Sequence, residues 1–226
     1  MGLFITLEGL DGSGKSTQAR LLYNELKERR FPVLLTREPG GTRIGEQIRE
    51  TLHSPTHTEM LPATEVLLYS ASRAQLVGEF ILPRLTEGFI VLCDRYADST
   101  LAYQGYGHGL DLDVLRTIAH FATRGLRPDR TIYLDLDARA CLARRQSAHQ
   151  LGSGELNRMD QQALDFYQRV RHGYMEIAAA EPQRWRIVDA APPARKVYEA
   201  VRHEVLPLIE EWFAGTETPL IGRGGS

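Results

Sequence analysis

Gly9, Gly14, Lys15 and Ser16 carry the spacing Gly-x-x-x-x-Gly-Lys-Ser, with Leu10, Asp11, Gly12 and Ser13 at the variable positions and Thr17 following. Glycines at that spacing let successive backbone N–H groups turn inward around phosphates. The lysine reaches β- and γ-phosphates, and the hydroxyl offers an oxygen ligand to Mg²⁺. Gly9 to Thr17 therefore reads as a cradle for a nucleoside triphosphate, with Lys15 as the cation and Ser16 as a metal ligand. The competing reading is a Gly-rich turn with a solvated lysine. Context speaks against it, because the apolar run LFITLE precedes the motif and a helix-like sequence starts at Lys15, where a helix N-terminus adds positive potential. A bound triphosphate leaves a switch GTPase, a motor or transport ATPase, and a kinase of a small acceptor open. Guanine-specific switches usually carry Asn-Lys-x-Asp, and none of the three lysines, Lys15, Lys27 and Lys196, follows an asparagine.

Four further segments bring arginines, aromatics and hydroxyls. The apolar run FIVLCD ends in Asp94 and is followed by Arg95. A carboxylate there can hold Mg²⁺ or its water and a guanidinium can fork onto a phosphate, unless the two form an ion pair with each other. Ser99, Thr100, Tyr103 and Gln104 then offer hydroxyl, ring and amide groups suited to a sugar and a base edge. Tyr69 and Arg73, four apart in LLYSASRAQ, share one face of a predicted helix, where a ring can stack on a base beside a guanidinium. Arg49 follows the segment TREPGGT and is a candidate for an acceptor phosphate. Arg144, Arg145 and Arg158 surround the Gly-rich QLGSGE, the composition of a mobile lid whose arginines can neutralise a transferring phosphoryl group.

These residues need a rigid frame. Short β-rich runs at 3–8, 32–37, 89–94, 130–136 and 184–190 alternate with helix-like sequence beginning at Lys15 and near Ile44, Pro62, Asp111, Ala138, Asp160 and Pro193. Strict alternation of this kind predicts an α/β fold: a five-stranded parallel sheet flanked by helices on both faces. Ligands of such a sheet bind at the carboxyl ends of its strands, where the segments above all fall.

Composition narrows the class. The 226 residues are 42% hydrophobic and suit one domain, expected over 1–213 with a lid at about 144–160 and a flexible tail over 214–226. The net charge of −2 and the lack of a basic run argue against binding a nucleic acid polymer. No apolar run approaches the roughly 20 residues that span a bilayer, and no basic segment precedes an apolar one at the N-terminus. Cys93 and Cys141 lie in apolar contexts without metal-ligand spacing and read as core residues in a reducing compartment, so a cytoplasmic location is expected.

Taken in order, FITLEGLDGSGKSTQ, TREPGGT, IRETL, YSASRAQ, DRYADSTLAYQG and the Arg-x-Arg-x-Gly-Tyr of Arg169 to Tyr174 resemble the thymidylate kinase family over nearly the whole chain. The resemblance implies the P-loop NTPase fold of the nucleoside-monophosphate kinases with a small lid segment, ATP and dTMP as substrates, Mg²⁺, and a homodimer. It assigns Asp11 to the deoxyribose 3′-hydroxyl, Glu38 to the acceptor-side loop, and Arg49 and Arg95 to the dTMP phosphate. Tyr69 takes the place of the ring stacked on thymine and Arg73 that of the arginine at O4. Thr100 and Gln104 match base-contacting positions, and Tyr103 matches the ring that disfavours a ribose 2′-hydroxyl. The family places an extra catalytic arginine either in the phosphate loop or in the lid. Here the loop has none, so Arg144, Arg145 and Arg158 must supply it. Two residues depart from the pattern: His108 stands where Gly-x-Gly-Arg-Gly-Leu has arginine, and Asn157 where an acid is common. The alternatives that remain are a kinase of another pyrimidine nucleotide and an inactive nucleotide-binding regulatory module.

Overall fold

The computed structural model describes residues 1–151 and 162–215. Its centre is a sheet of five parallel strands in the order β2-β3-β1-β4-β5: β1 Leu3–Glu8, β2 Val33–Arg37, β3 Ile90–Asp94, β4 Arg130–Asp135 and β5 Trp185–Asp189. Every expected strand is present, with ends displaced by one residue at most. All six residues of β1 are buried, as a central strand covered on both faces requires.

Side-chain alternation along β1 and β3 divides the core. Leu3, Ile5 and Leu7 with Ile90 and Leu92 join the larger apolar cluster, whereas Phe4 with Val91 and Cys93 packs on Leu76, Val77, Ile81 and Leu85. Because successive residues of a strand point to opposite faces, these are the two sides of one sheet, each covered by helices. Both cysteines are buried and outside any disulfide, as expected of core residues.

The helices are α1 Lys15–Glu28, α2 Arg43–His53, α3 Pro62–Leu76, α4 Leu82–Thr86, α5 Ala97–Thr100, α6 Leu112–Thr123, α7 Ala138–Gln150, α8 Leu164–Ala180 and α9 Ala194–Gly215, with π-helical segments at Val77–Ile81 and Leu101–Gly107. Short polar side chains start several of them. The Asp111 carboxylate accepts from the Asp113 and Val114 N–H groups at α6, and Asp137 accepts from Arg139 and Ala140 at α7. The helix expected near Asp160 begins at Leu164. α4, α5 and the π-helical segments escape a periodicity reading because each spans too few turns for a pattern to develop.

Residues 144–150 of the expected lid continue α7, and α9 runs to Gly215. The rest of the lid, including Asn157 and Arg158, and the tail from 216 onward lie outside the described residues. α8 is drawn tightly onto the segment Leu101–Gly107. A Cβ at Gly173 would stand 2.5 Å from Tyr106 Cγ, so only glycine permits this approach. Arg171 adds a bidentate pair to Asp135 at 2.7 and 2.8 Å.

Candidate active site

β1 lies between β3 and β4, where the direction of strand order reverses, and the phosphate loop leaves its carboxyl end at that point. The loop bends through left-handed glycines, and at Gly12, with φ 90°, a Cβ would meet the Cys141 carbonyl of α7 at 2.4 Å. α7, which carries Arg144 and Arg145, is thereby held directly against the loop. The side chains above it enclose a cavity of about 480 Å³.

At the end formed by the loop, Lys15 is 5% exposed and donates to the Leu10 carbonyl at 2.8 Å. Burial and then the neighbouring Arg95 charge pull its ammonium below the usual lysine range, against Asp11, Asp94 and Glu8. The Ser16 hydroxyl donates to Asp94 Oδ2, while Asp94 Oδ1 is buried without a hydrogen-bond partner. Among the described residues no cluster of three or more His, Cys, Asp or Glu forms a metal cage. One carboxylate with one hydroxyl is nevertheless a donor set suited to Mg²⁺, which usually takes a few protein oxygens and completes its shell with phosphates and water. Gly12, Gly14 and Thr17 line the cavity, whereas Gly9, Leu10 and Ser13 form the buried back of the loop.

At the other end of the cavity, Arg95 is the hub. It has the unusual left-handed φ of 71°, which aims its side chain back across the sheet. One guanidinium nitrogen donates to Asp11 Oδ1 at 2.8 Å and to the Tyr103 hydroxyl at 2.9 Å; the other reaches the Tyr174 hydroxyl at 3.2 Å and Ser99 at 3.4 Å. The ion pair open to Asp94 and Arg95 in the sequence is therefore made by Arg95 with Asp11 instead. Burial raises the Asp11 carboxyl, but Arg95 and Lys15 outweigh it and hold it well below the usual carboxylate range.

Glu8 was not singled out by the sequence reading. Its carboxylate accepts from the Tyr96 N–H at 2.7 Å, Ser99 Oγ at 2.7 Å and the Tyr174 hydroxyl at 2.8 Å, so it braces the residue after Arg95 and two of its partners. Burial pushes it up to about 7, with Asp98 adding and Arg95, Ser99 and Tyr174 opposing. The signal for it was the same as for Asp94: an acid ending an apolar strand beside the phosphate loop.

Arg49 lines the cavity and donates to the Pro39 carbonyl at 3.0 Å. Glu38, Tyr69, Ser99, Thr100, Tyr103 and Gln104 line it too. Arg73 does not: it is 1% exposed, bonded to Glu38 at 2.8 Å, Thr100 Oγ1 at 3.0 Å and the Tyr96 carbonyl at 3.1 Å. It stands behind Glu38 and Thr100. Arg144 and Arg145 both reach the wall; Arg144 donates to the Ala190 and Ala191 carbonyls at 3.1 Å. The arrangement lines one cavity with the cations Lys15, Arg49 and Arg95 and with aromatic and amide side chains, a surface suited to phosphate groups and a flat polar ring.

A family model described as thymidylate kinase matches residues 7–201. The chain is 55% identical to a thymidylate kinase of Roseiflexus sp. (strain RS-1), covering 95% of this chain and 96% of that one. It is 47% identical to a thymidylate kinase of Herpetosiphon aurantiacus, covering 92% and 96%. The crystal structure of thymidylate kinase from Ehrlichia chaffeensis superposes with a TM-score of 0.73 at 32% identity, over 90% of this chain and 98% of that one.

Proposed function

The chain belongs to the thymidylate kinase family and transfers the γ-phosphoryl group of ATP to dTMP, giving dTDP and ADP, and from this we propose how its side chains divide the work. The observation that carries the assignment is a single cavity with Lys15 and Ser16 at one end and Arg95, Tyr69 and Gln104 at the other.

Lys15 and the backbone of residues 9–17 hold the ATP phosphates. Ser16 and Asp94 hold Mg²⁺, and the orphaned Asp94 Oδ1 supports that role. Bound there, the ion would offset negative charge on the phosphate oxygens. Arg95 and Arg49 bind the dTMP phosphate. Asp11, kept ionised by Arg95, faces the sugar 3′-hydroxyl, while the Tyr103 ring lies under the sugar and disfavours a ribose. Tyr69 stacks on the base, Thr100 and Gln104 meet its edge, and Glu38 fixes Arg73 behind Thr100.

The acceptor phosphate has a second pKa of about 6 and is largely a dianion at neutral pH, so no strong base is required. Asp94 is therefore not a general base. Catalysis rests on alignment and on the positive charge of Lys15, Arg95 and the lid arginines Arg144, Arg145 and Arg158, as phosphoryl transfer demands.

We assign a homodimer, supported by apolar side chains left exposed on the packed helices α3 and α6: Leu67 at 60%, Val114 at 57% and Phe121 at 83%. Light scattering on the wild type and on Phe121→Glu tests it. No helix among the described residues is long and apolar enough to cross a membrane. A cytoplasmic location is our reading, supported by the two free, buried cysteines.

Steady-state ADP release with dTMP, dUMP, ribothymidine monophosphate and thymidine tests the function. The expected order puts dTMP first and thymidine at background. Preference for an unphosphorylated acceptor, or no turnover with any of the four, would overturn it.

A further inference from the structure

Gln104 closes the base end of the cavity, and its amide is held from behind. Nε2 donates at 2.6 Å to Oε1 of Glu65, and the two residues are 2% and 1% exposed. Glu65 is not part of the cavity wall. It stands in the first turn of α3, where the positive end of the helix favours an ionised carboxylate. His108 Nε2 is 3.7 Å from the same oxygen. The start of α3 and the His108 ring thus stand beside Glu65 in addition to the Gln104 amide.

An ionised carboxylate only accepts hydrogen bonds, whereas a glutamine amide presents NH₂ on one edge and oxygen on the other. With its nitrogen edge committed to Glu65, the planar amide turns its carbonyl oxygen the opposite way. We propose that Glu65 is a specificity-determining positioning residue, which locks the Gln104 amide so that the base end of the cavity presents an acceptor to an imide N–H.

The inference rests on the reading of this cavity as the dTMP site. Thymine and uracil carry a proton on N3 and satisfy that acceptor; cytosine has an unprotonated N3 and leaves two acceptors facing each other. Thr100 extends the pattern. Its oxygen accepts from Arg73 NH1 at 3.0 Å, which leaves its own proton for a base carbonyl. An acceptor beside a donor is the complement of the imide and carbonyl of thymine, and the reverse of the edge of cytosine. A buried site that mismatches in this way rejects the wrong ligand strongly, because polar groups on both sides lose their partners.

The experiment measures kcat/KM for dTMP and dCMP in the wild type, Glu65→Gln and Gln104→Ala. A glutamine at position 65 can donate as well as accept, so the Gln104 amide is free to flip. The dTMP to dCMP ratio of Glu65→Gln is expected to fall roughly tenfold or more, through a gain on dCMP as well as a loss on dTMP. A variant that loses activity equally on both substrates, keeping the wild-type ratio, would show Glu65 to be merely structural and overturn the proposal. Should Glu65→Gln not fold, the wild type itself decides by NMR. The Gln104 side-chain N–H is expected to exchange slowly with and without dTMP, with the dTMP-induced shift falling on the amide carbonyl carbon; a fast-exchanging amide would refute the lock. If wild type shows no preference for dTMP, or Gln104→Ala leaves the KM for dTMP unchanged, the reading of the site fails along with the inference. If preference and KM effect are present but Glu65→Gln keeps the ratio, the inference alone fails.

Discussion

Arg95 donates to Asp11 at 2.8 Å across 84 residues of chain, joining the end of β3 to the phosphate loop that follows β1. The pair needs a left-handed backbone at Arg95, a conformation that is uphill for a residue with a Cβ and persists only where the surroundings determine it. Here those surroundings are Tyr103, Tyr174 and Ser99, with Glu8 behind them. The result is an arginine aimed and fixed before any phosphate arrives, so little ordering is left to be done on binding.

Arg95→Ala removes charge-assisted bonds to the acceptor phosphate and is expected to raise the KM for dTMP by roughly 10- to 100-fold, leaving the KM for ATP within about threefold. Initial rates with each substrate varied in turn check this. An unchanged KM for dTMP would remove Arg95 from the acceptor site.

Asp94→Asn keeps the shape of the side chain but loses its charge. The Mg²⁺ concentration for half-maximal rate is expected to rise roughly tenfold or more, and excess EDTA should stop turnover of the wild type. The measurement is rate against free Mg²⁺ at saturating ATP. A variant with the wild-type metal dependence would assign the ion to other oxygens.

Glu8 makes a pH-dependent contribution to stability. Its folded value of about 7 stands above the ordinary 4.5, so the folded state holds its proton more firmly than the unfolded chain. The contribution is full below pH 4.5, declines as pH rises towards 7 and is flat above. It amounts to about 3 kcal/mol over that span. Denaturant titrations should therefore show wild type losing about that much relative to Glu8→Gln between pH 4.5 and 8. Asp11 has the opposite sign, because its depressed value contributes stability at neutral pH that is lost on acidification below 3.8. A wild-type to Glu8→Gln difference independent of pH would contradict the burial of an ionisable Glu8.

Arg73→Met strips the buried Glu38 of its counter-charge. A loss of about 3–5 kcal/mol is expected, with much of it recovered in the double variant Arg73→Met/Glu38→Met, since a buried pair is worth far less than one of its halves is harmful. Urea midpoints of the two variants test this. A single variant as stable as wild type would mean that Glu38 reaches water or is protonated at no penalty.

The sequence by itself determined the phosphate loop, the five strands and most helix starts. Each of these depends on a few neighbouring residues: glycine spacing, apolar runs, a capping aspartate. It also gathered nearly all the cavity residues, because open parallel sheets bind ligands at one edge and most motifs followed the carboxyl end of a strand. What a charged side chain touches is another matter. That Arg95 pairs with Asp11 and not Asp94, that Arg73 turns inward to Glu38, that Glu8 is buried under Ser99 and Tyr174, and that Glu65 grips Gln104 were decided only when the order β2-β3-β1-β4-β5 stacked distant segments together. Apolar periodicity is a property of a short stretch of chain. The partner and protonation of a buried charge are set by all the groups packed around it, and some of those come from as far as 166 residues away.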